Sequence, residues 1–321
     1  MRVLVTGGAG YIGSVATAML LERGFEVTVL DDCSTGHRDA VSSDAKFVEG
    51  SVLNPESIAL ALVDCSAVLH FAAKSLVGES VEKPDLYFDV NVNGTKNLLD
   101  QMSKAGISKL VFSSTAATYG EPEVIPITEK AVTKPTSPYG KTKLAVDQMI
   151  TDKAKSGLAA ISLRYFNVAG AYKSKTGWLA ERHNPETHLI PNLLRSTNEN
   201  PLKIFGNDWP TKDGTCIRDY IHVVDLIDAH ILALDNLAAN QHKIINLGSG
   251  GGYSVTEVVG AASKVLGREI PTEVAFRRSG DPAVLIADIS LAAADLNWTP
   301  KLGIENMVRD TWESANASTS K

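Results

Sequence analysis

A chain of 321 residues, 44% hydrophobic and 21% charged, is long and apolar enough to bury a large core, which excludes the disordered and fibrous classes. Its net charge of −6, with no run of Lys or Arg, argues against a general nucleic-acid binder and leaves only local phosphate sites open. Three cysteines (Cys33, Cys65, Cys216) without C-x-x-C spacing give neither a disulfide framework nor a zinc cluster, so no metal is expected. With no charged, apolar leader and no apolar run of about 18 residues, a cytoplasmic protein is expected.

In chain order, short apolar runs alternate with helical patterns. "VLVT" 3–6, "VTVL" 27–30, "KFVE" 46–49, "AVLHF" 67–71, "KLVFSS" 109–114 and "AAISLRYF" 159–166 read as strands, with helices between them at 11–23, 55–62, 85–104 and 138–156. Continuous Val/Ile/Leu runs suit strands buried on both faces, and the strand–helix–strand rhythm implies a doubly wound parallel sheet with right-handed crossovers. After Ala171 the rhythm breaks into polar, turn-rich sequence. Strand-like 202–205 and 243–248 then flank a helix near 223–238, a capping box runs from Ser254 to Glu257, and 272–276 and 304–316 close the chain. The expected division is a dinucleotide-binding domain over 1–170, with segments near 215–248 returning to it. A smaller mixed α/β substrate-binding region covers 171–321.

"TGGAGYIG" places Gly7, Gly10 and Gly13 after the first strand and at the head of a helix. Glycine is needed there because backbone must turn tightly, approach a pyrophosphate closely and leave helix N–H groups free for anionic oxygens. Asp31 ends the second strand at about the 20-residue spacing of a dinucleotide fingerprint. A carboxylate there accepts a ribose 2′-hydroxyl and repels a 2′-phosphate, which favours NAD over NADP. Asp32, next to it, is as readily the cap of a turn.

"SPYGKTK" puts Tyr139 and Lys143 on one helix face, one turn apart. An ammonium near the phenol, helped by an oxidised nicotinamide ring, lowers the tyrosine pKa and makes it a usable base. Ser113, Ser114 and Thr115 end a strand at the carboxyl edge, where open α/β sheets place ligands. For Ser113 a packing role is the more natural expectation.

Together with "SSTAATYG", "LRYFNVAGA", "FGNDWPTKDGTCIRDYIHV", "INLGSGGGYSV" and "RRSGDPA", these stretches resemble the UDP-glucose (UDP-galactose) 4-epimerases of the extended short-chain dehydrogenase/reductase family, in order over nearly the whole chain. The resemblance implies a Rossmann-like, NAD-binding isomerase. It would epimerise UDP-hexoses at C4 through a 4-keto sugar, in galactose metabolism, as a homodimer joined through helices near 85–104 and 138–156. It implies Tyr139, Lys143 and Thr115 as the catalytic set. Gly7, Gly10, Tyr11, Ile12, Gly13, Asp31, Asp32, Ser51, Val52, Phe71, Ala72, Ala73, Ser75, Asn91, Lys143 and Phe166 would lie along the cofactor. Thr115, Tyr139, Asn167, His188, Leu189, Arg218, Tyr220, Arg278, Asp281 and Leu285 would lie along the substrate, with the two arginines on the diphosphate.

Several positions depart from the family's commonest pattern. Ser51 stands where many relatives carry Asp, Lys74 sits one place early so that Ser75 takes its position, Val90 replaces an Asn, and His188 replaces another. Leu285 occupies a site that is tyrosine in some relatives, so N-acetylated UDP-sugars are an alternative substrate class. A 4,6-dehydratase would carry Asp-Glu where this chain has Ala116-Ala117. A non-catalytic NAD-binding regulator would not need Tyr139 and Lys143.

Overall fold

The computed structural model describes residues 1–278 and 281–319. Six parallel strands lie in the first half: β1 (Arg2–Thr6), β2 (Glu26–Asp31), β3 (Lys46–Glu49), β4 (Ala67–His70), β5 (Lys109–Thr115) and β6 (Ala159–Tyr165). Helices join them: α1 (Tyr11–Glu22), α2 (Pro55–Ala61), α3 (Val77–Glu82), α4 (Pro84–Tyr87), α5 (Gly94–Lys104) and α6 (Pro138–Ala154). The short strands β7 (Asn167–Ala169), β8 (Tyr172–Ser174) and β9 (Gly177–Leu179) and helix α7 (Leu189–Leu194) follow. Next come β10 (Leu202–Phe205), β11 (Ile217–Arg218), β12 (Tyr220–His222), α8 (Val223–Asp235), β13 (Gln241–Leu247) and β14 (Tyr253–Ser254). Helix α9 (Val255–Leu266), β15 (Thr272–Ala275), β16 (Val284–Leu285), α10 (Ser290–Leu296) and α11 (Ile304–Thr319) complete the described chain.

The central sheet has seven strands in the order β13-β6-β5-β4-β1-β2-β3, all parallel. Its inner strands are buried on both faces: every residue of β4 and β6 is buried, as the unbroken apolar runs require. One face packs Val5, Leu69, Val111 and Leu163 against α1 and α8; the other packs Leu4, Val68, Leu110 and Phe112 against α2, α5 and α6. Each such side chain stabilises the fold by about 1.5–3 kcal/mol through removal from water. A third, smaller cluster around Leu193, Val258, Ala262 and Val308 holds α7, α9 and α11 together.

Local sequence sets the helix starts. Asn54 accepts hydrogen bonds from Glu56 and Ser57 N–H ahead of Pro55, Ser137 accepts one from Gly140 ahead of Pro138, and Ser254 and Glu257 form the expected reciprocal capping box. The single helix expected over 85–104 is instead α4, a wider π-helical turn over Phe88–Asn93, and α5. In that turn Asn91 donates to the Lys74 carbonyl and to Thr142 Oγ1, and accepts from Lys74 N–H, so a packed loop distorts the helix. Strand β13 and helix α8, from beyond residue 171, build onto the central sheet, whereas β11, β14 and β16 form a separate three-stranded sheet. Among the described residues no helix is long and apolar enough to cross a membrane.

Candidate active site

The turn after β1 explains its glycines atom by atom. Gly7 has φ +73°, and a Cβ on it would stand 2.6 Å from the backbone nitrogen of Ala72; a Cβ on Gly13 would stand 2.1 Å from the Gly7 carbonyl oxygen. Only backbone fits between β1, β4 and the head of α1. Gly10 provides no side-chain cap, so the positive end of this 12-residue helix is left to an incoming anion, with Tyr11 and Ile12 in its first turn. This cradle fits a dinucleotide pyrophosphate.

Asp31 accepts from Ala9 N–H (2.9 Å) and from Cys33 N–H (2.8 Å), which fixes its carboxylate beside the glycine turn. Burial raises its pKa, with the two N–H groups opposing. Asp32 accepts from Ser34 N–H (3.0 Å) and thus caps a turn; burial pulls its pKa up, yet the Ser34 and Ser51 hydrogen bonds bring the net shift downward. Ser51 is therefore tied to Asp32, and Val52 is buried beside Gly94. Phe71, Ala72 and Ala73 follow β4, where Phe71 N–H and Ala72 N–H bond to Thr6. Lys74 reaches back to Ser34 Oγ (3.3 Å), whereas Ser75 is exposed. Asn91 is 2% exposed and holds the backbone of this loop in place.

Across the sheet edge, the Tyr139 hydroxyl lies within electrostatic reach of Thr115. Burial pushes the phenol up to about 12, and Thr115 draws it partly back. Lys143 is 3% exposed; its Nζ donates to the Ser113 carbonyl at 2.8 Å and lies 4.7 Å from the centre of the Phe112 ring. Burial brings its pKa down to about 8, with Asp147 opposing. The sequence pointed to a lysine-tuned tyrosine. In the structure the ammonium is bound to a carbonyl, and the phenol pKa is raised by burial. Ser113 pairs its hydroxyl with Tyr165, and Ser114 joins the buried Arg164–Asp147 ion pair, so both serve packing.

The expected substrate residues are spread over several elements beyond the central sheet. Arg218, on β11, lies 3.7 Å from Asp281 and directly across the strand pair from Leu285. Arg278 sits over the Phe205 ring at 3.8 Å. Asn167 donates to the Asp219 carbonyl (3.1 Å) and follows Phe166, which is half-buried. Tyr220 is 6% exposed against Tyr253 and is thus more wall than surface. His188 precedes Leu189 at the head of α7 and pairs with Glu186 at 2.8 Å. Ser279 and Gly280 of "RRSGDPA" lie outside the described residues.

Two features were missed in the sequence. Asp219, fully buried beside Arg218, accepts from Ser249, Gly250 and Ala287 N–H and from the Ser249 hydroxyl, and so organises the loop after β13. Its place in "IRDY" was visible, but not its four partners, which lie 30 to 68 residues away. Glu181, His183, Glu186 and His188 converge in the loop after β9. Both histidine pKa values are raised: the Glu181 carboxylate acts on His183, and for His188 burial is outweighed by Glu186 and Glu181.

Residues 3–248 match the model of the NAD dependent epimerase/dehydratase family. A UDP-glucose 4-epimerase of Corynebacterium glutamicum is 53% identical over 99% of this chain and 96% of the relative. A solved UDP-glucose-4-epimerase of Stenotrophomonas maltophila, with bound NAD and formylated UDP-arabinopyranose, superposes with a TM-score of 0.94 at 38% identity, covering 100% of this chain and 99% of the other. The Bifidobacterium longum UDP-glucose 4-epimerase in complex with NAD+ and UDP superposes at 0.90 and 36% identity, covering 99% of each chain. With a family model over most of its length and relatives that match it end to end, the chain belongs to the NAD dependent epimerase/dehydratase family.

Proposed function

We propose that this chain interconverts UDP-glucose and UDP-galactose by reversible NAD-dependent 4-epimerisation through a 4-keto sugar. The observation that carries this reading is the Tyr139 hydroxyl beside Thr115 at the carboxyl edge of the sheet, with the buried Lys143 one helical turn on. Gly7, Gly10, Gly13 and the N-terminus of α1 hold the pyrophosphate of NAD, and Asp31 takes its adenosine ribose. Bound NAD supplies the acceptor that takes a hydride from sugar C4 and gives it back to the other face.

Tyr139 accepts the proton of the 4-hydroxyl and later returns it, while Thr115 holds the 4-oxygen. A phenol pushed up to about 12 is a poor base at neutral pH, so Tyr139 becomes effective only when positive charge is added beside it. Lys143, buried on the Ser113 carbonyl, is one source of that charge once it turns toward a ribose hydroxyl. Arg218 and Arg278 hold the diphosphate, Asp281 the uridine ribose and Asn167 a diphosphate oxygen. Phe166, Tyr220, His188 and Leu189 shape the walls.

Leu285, half-buried opposite Arg218, supports a second substrate class, UDP-N-acetylhexosamines, because it leaves more room than an aromatic ring. A homodimer is supported by the apolar residues Val81 (65% exposed) and Phe88 (53%) on α3 and the turn before α5, and by Leu86 (38%) on α4. The three free cysteines suit a reducing cytoplasm. The test is to incubate purified protein with UDP-galactose and no added NAD and to follow UDP-glucose. Conversion is expected; no conversion even with NAD supplied refutes the reading, and UDP-N-acetylglucosamine in the same assay decides the second class.

A further inference from the structure

The loop between β9 and α7 gathers groups that the reaction above leaves without a chemical task. Glu181, His183 and His188 each offer one ligand atom, and these three atoms lie within 4.8 Å of one another. His183 Nδ1 is 2.5 Å from Glu181 Oε1, and His188 Nδ1 is 3.9 Å from Glu181 Oε2. Glu186 lies against the group: its Oε1 accepts from the N–H groups of Thr187 and His188 and stands 2.8 Å from His188 Nδ1.

The two carboxylates are shielded, the Glu181 side chain being 9% exposed and that of Glu186 2%, whereas His183 and His188 are 26% and 41% exposed and open to an entering ion. Two of its buried atoms have no aligned hydrogen bond, His183 Nδ1 and Glu186 Oε2. Buried polar atoms normally find partners, so Glu186 Oε2 without one, beside the Glu181–His183 ion pair, marks a place built for something more. We propose that Glu181, His183 and His188 form a binding site for a divalent transition-metal ion of the zinc type, with Glu186 orienting His188.

Two imidazoles and one carboxylate make a donor set that zinc accepts, with bonds of about 2.0–2.2 Å, whereas calcium and magnesium prefer oxygen alone. Tetrahedral bonds of that length set donors roughly 3.3–3.5 Å apart, so the ligand atoms, all within 4.8 Å of one another and with His183 and Glu181 at 2.5 Å, re-space modestly on binding. The Glu186–His188 pair matches the carboxylate–imidazole arrangement that fixes the ring of a metal ligand. Cysteine spacing, on which the expectation of no metal rested, says nothing about such a site. Glu181 and His183 also line a cleft with Gly10, Tyr11 and Ser14, so an ion here ties the 181–188 loop down over the head of α1. The role is structural and independent of the sugar that the enzyme turns over.

The test uses the full chain, stripped with EDTA, desalted, given ZnCl2 alone and desalted again, with retained metal measured by mass spectrometry and thermal unfolding recorded beside it. Roughly one zinc per chain and a raised unfolding temperature are expected. Glu181→Gln and His183→Gln should each weaken retention by about tenfold or more, whereas His242→Gln, outside the cluster, should hold zinc as the parent does. Circular dichroism shows which variants are folded, and the proposal is judged on those. Failure of the parent chain to retain zinc, or equal retention by a folded Glu181→Gln or His183→Gln protein, overturns it.

Discussion

Tyr139, Lys143 and His70 each respond to burial by resisting charge. For Lys143, with its pKa down to about 8, the unfolded chain holds more protons between about 8 and the ordinary lysine value, so this group makes stability rise with pH in that window. His70 lies between Thr6 Oγ1 (2.6 Å) and Thr95 Oγ1 (2.8 Å) and is brought down to about 3 by burial, with Lys143 adding to the effect. A histidine depressed in the folded state stabilises the fold above its ordinary pKa near 6.5 and loses that contribution as pH falls toward 3. Chemical denaturation across pH 6.5 to 3 should therefore show a slope approaching about 1.4 kcal/mol per pH unit from this group, and His70→Gln should remove it. An unchanged slope in His70→Gln contradicts the assignment. Thr115 lowers the phenol pKa from beside it, so Thr115→Val should lower kcat by about a hundredfold with the fold intact, while Thr115→Ser stays near the parent. Steady-state kinetics of the two variants separates loss of the hydroxyl from loss of the methyl group.

The elements of the central sheet were legible because each strand is an unbroken apolar run and each helix start carries its own cap. Val3–Thr6, Ala67–His70 and Ala159–Tyr165 are buried on both faces, and Asn54, Ser137 and Ser254 cap as their sequence context demands. Short strands such as β11 and β16 were not legible: pairs of two residues carry no periodicity, and they exist because Ile217–Arg218 meets Val284–Leu285 from a distant part of the chain. The same limit hid the π-helical turn, which depends on Asn91 reaching Lys74 and Thr142. At the site, Gly7, Asp31, Tyr139 and Thr115 were readable from motifs, but the Lys143–Ser113 bond and the raised phenol were not, since both follow from burial. The glycine turn offers a test at this scale: Gly13→Ala must displace the Gly7 carbonyl, which a Cβ would approach to 2.1 Å. Loss of bound NAD, with about 1–3 kcal/mol of stability lost, is expected; full NAD content in the purified variant would show that the turn tolerates a methyl group.

Over the whole molecule, the proposed reaction needs a sheet edge that brings the α1 cradle, the α6 tyrosine and Arg218 on β11 within reach of one elongated ligand. The parallel order with β1 and β4 side by side puts the ends of β1, β4 and β5 at that edge. The exposed apolar residues Val81, Leu86 and Phe88 lie on α3, α4 and the turn before α5. Phe88→Glu together with Val81→Glu should convert a dimer to a monomer by sedimentation; a parent chain that is already monomeric contradicts the dimer proposal. The central claim is that the hydrogen leaving sugar C4 returns to C4 without entering solvent. It is tested most directly with UDP-galactose deuterated at C4, turned over to equilibrium in ordinary water and analysed by NMR. The account predicts UDP-glucose that keeps its deuterium at C4, formed by Tyr139→Phe about 10²–10⁴-fold more slowly. Exchange of the label for solvent protons would contradict it.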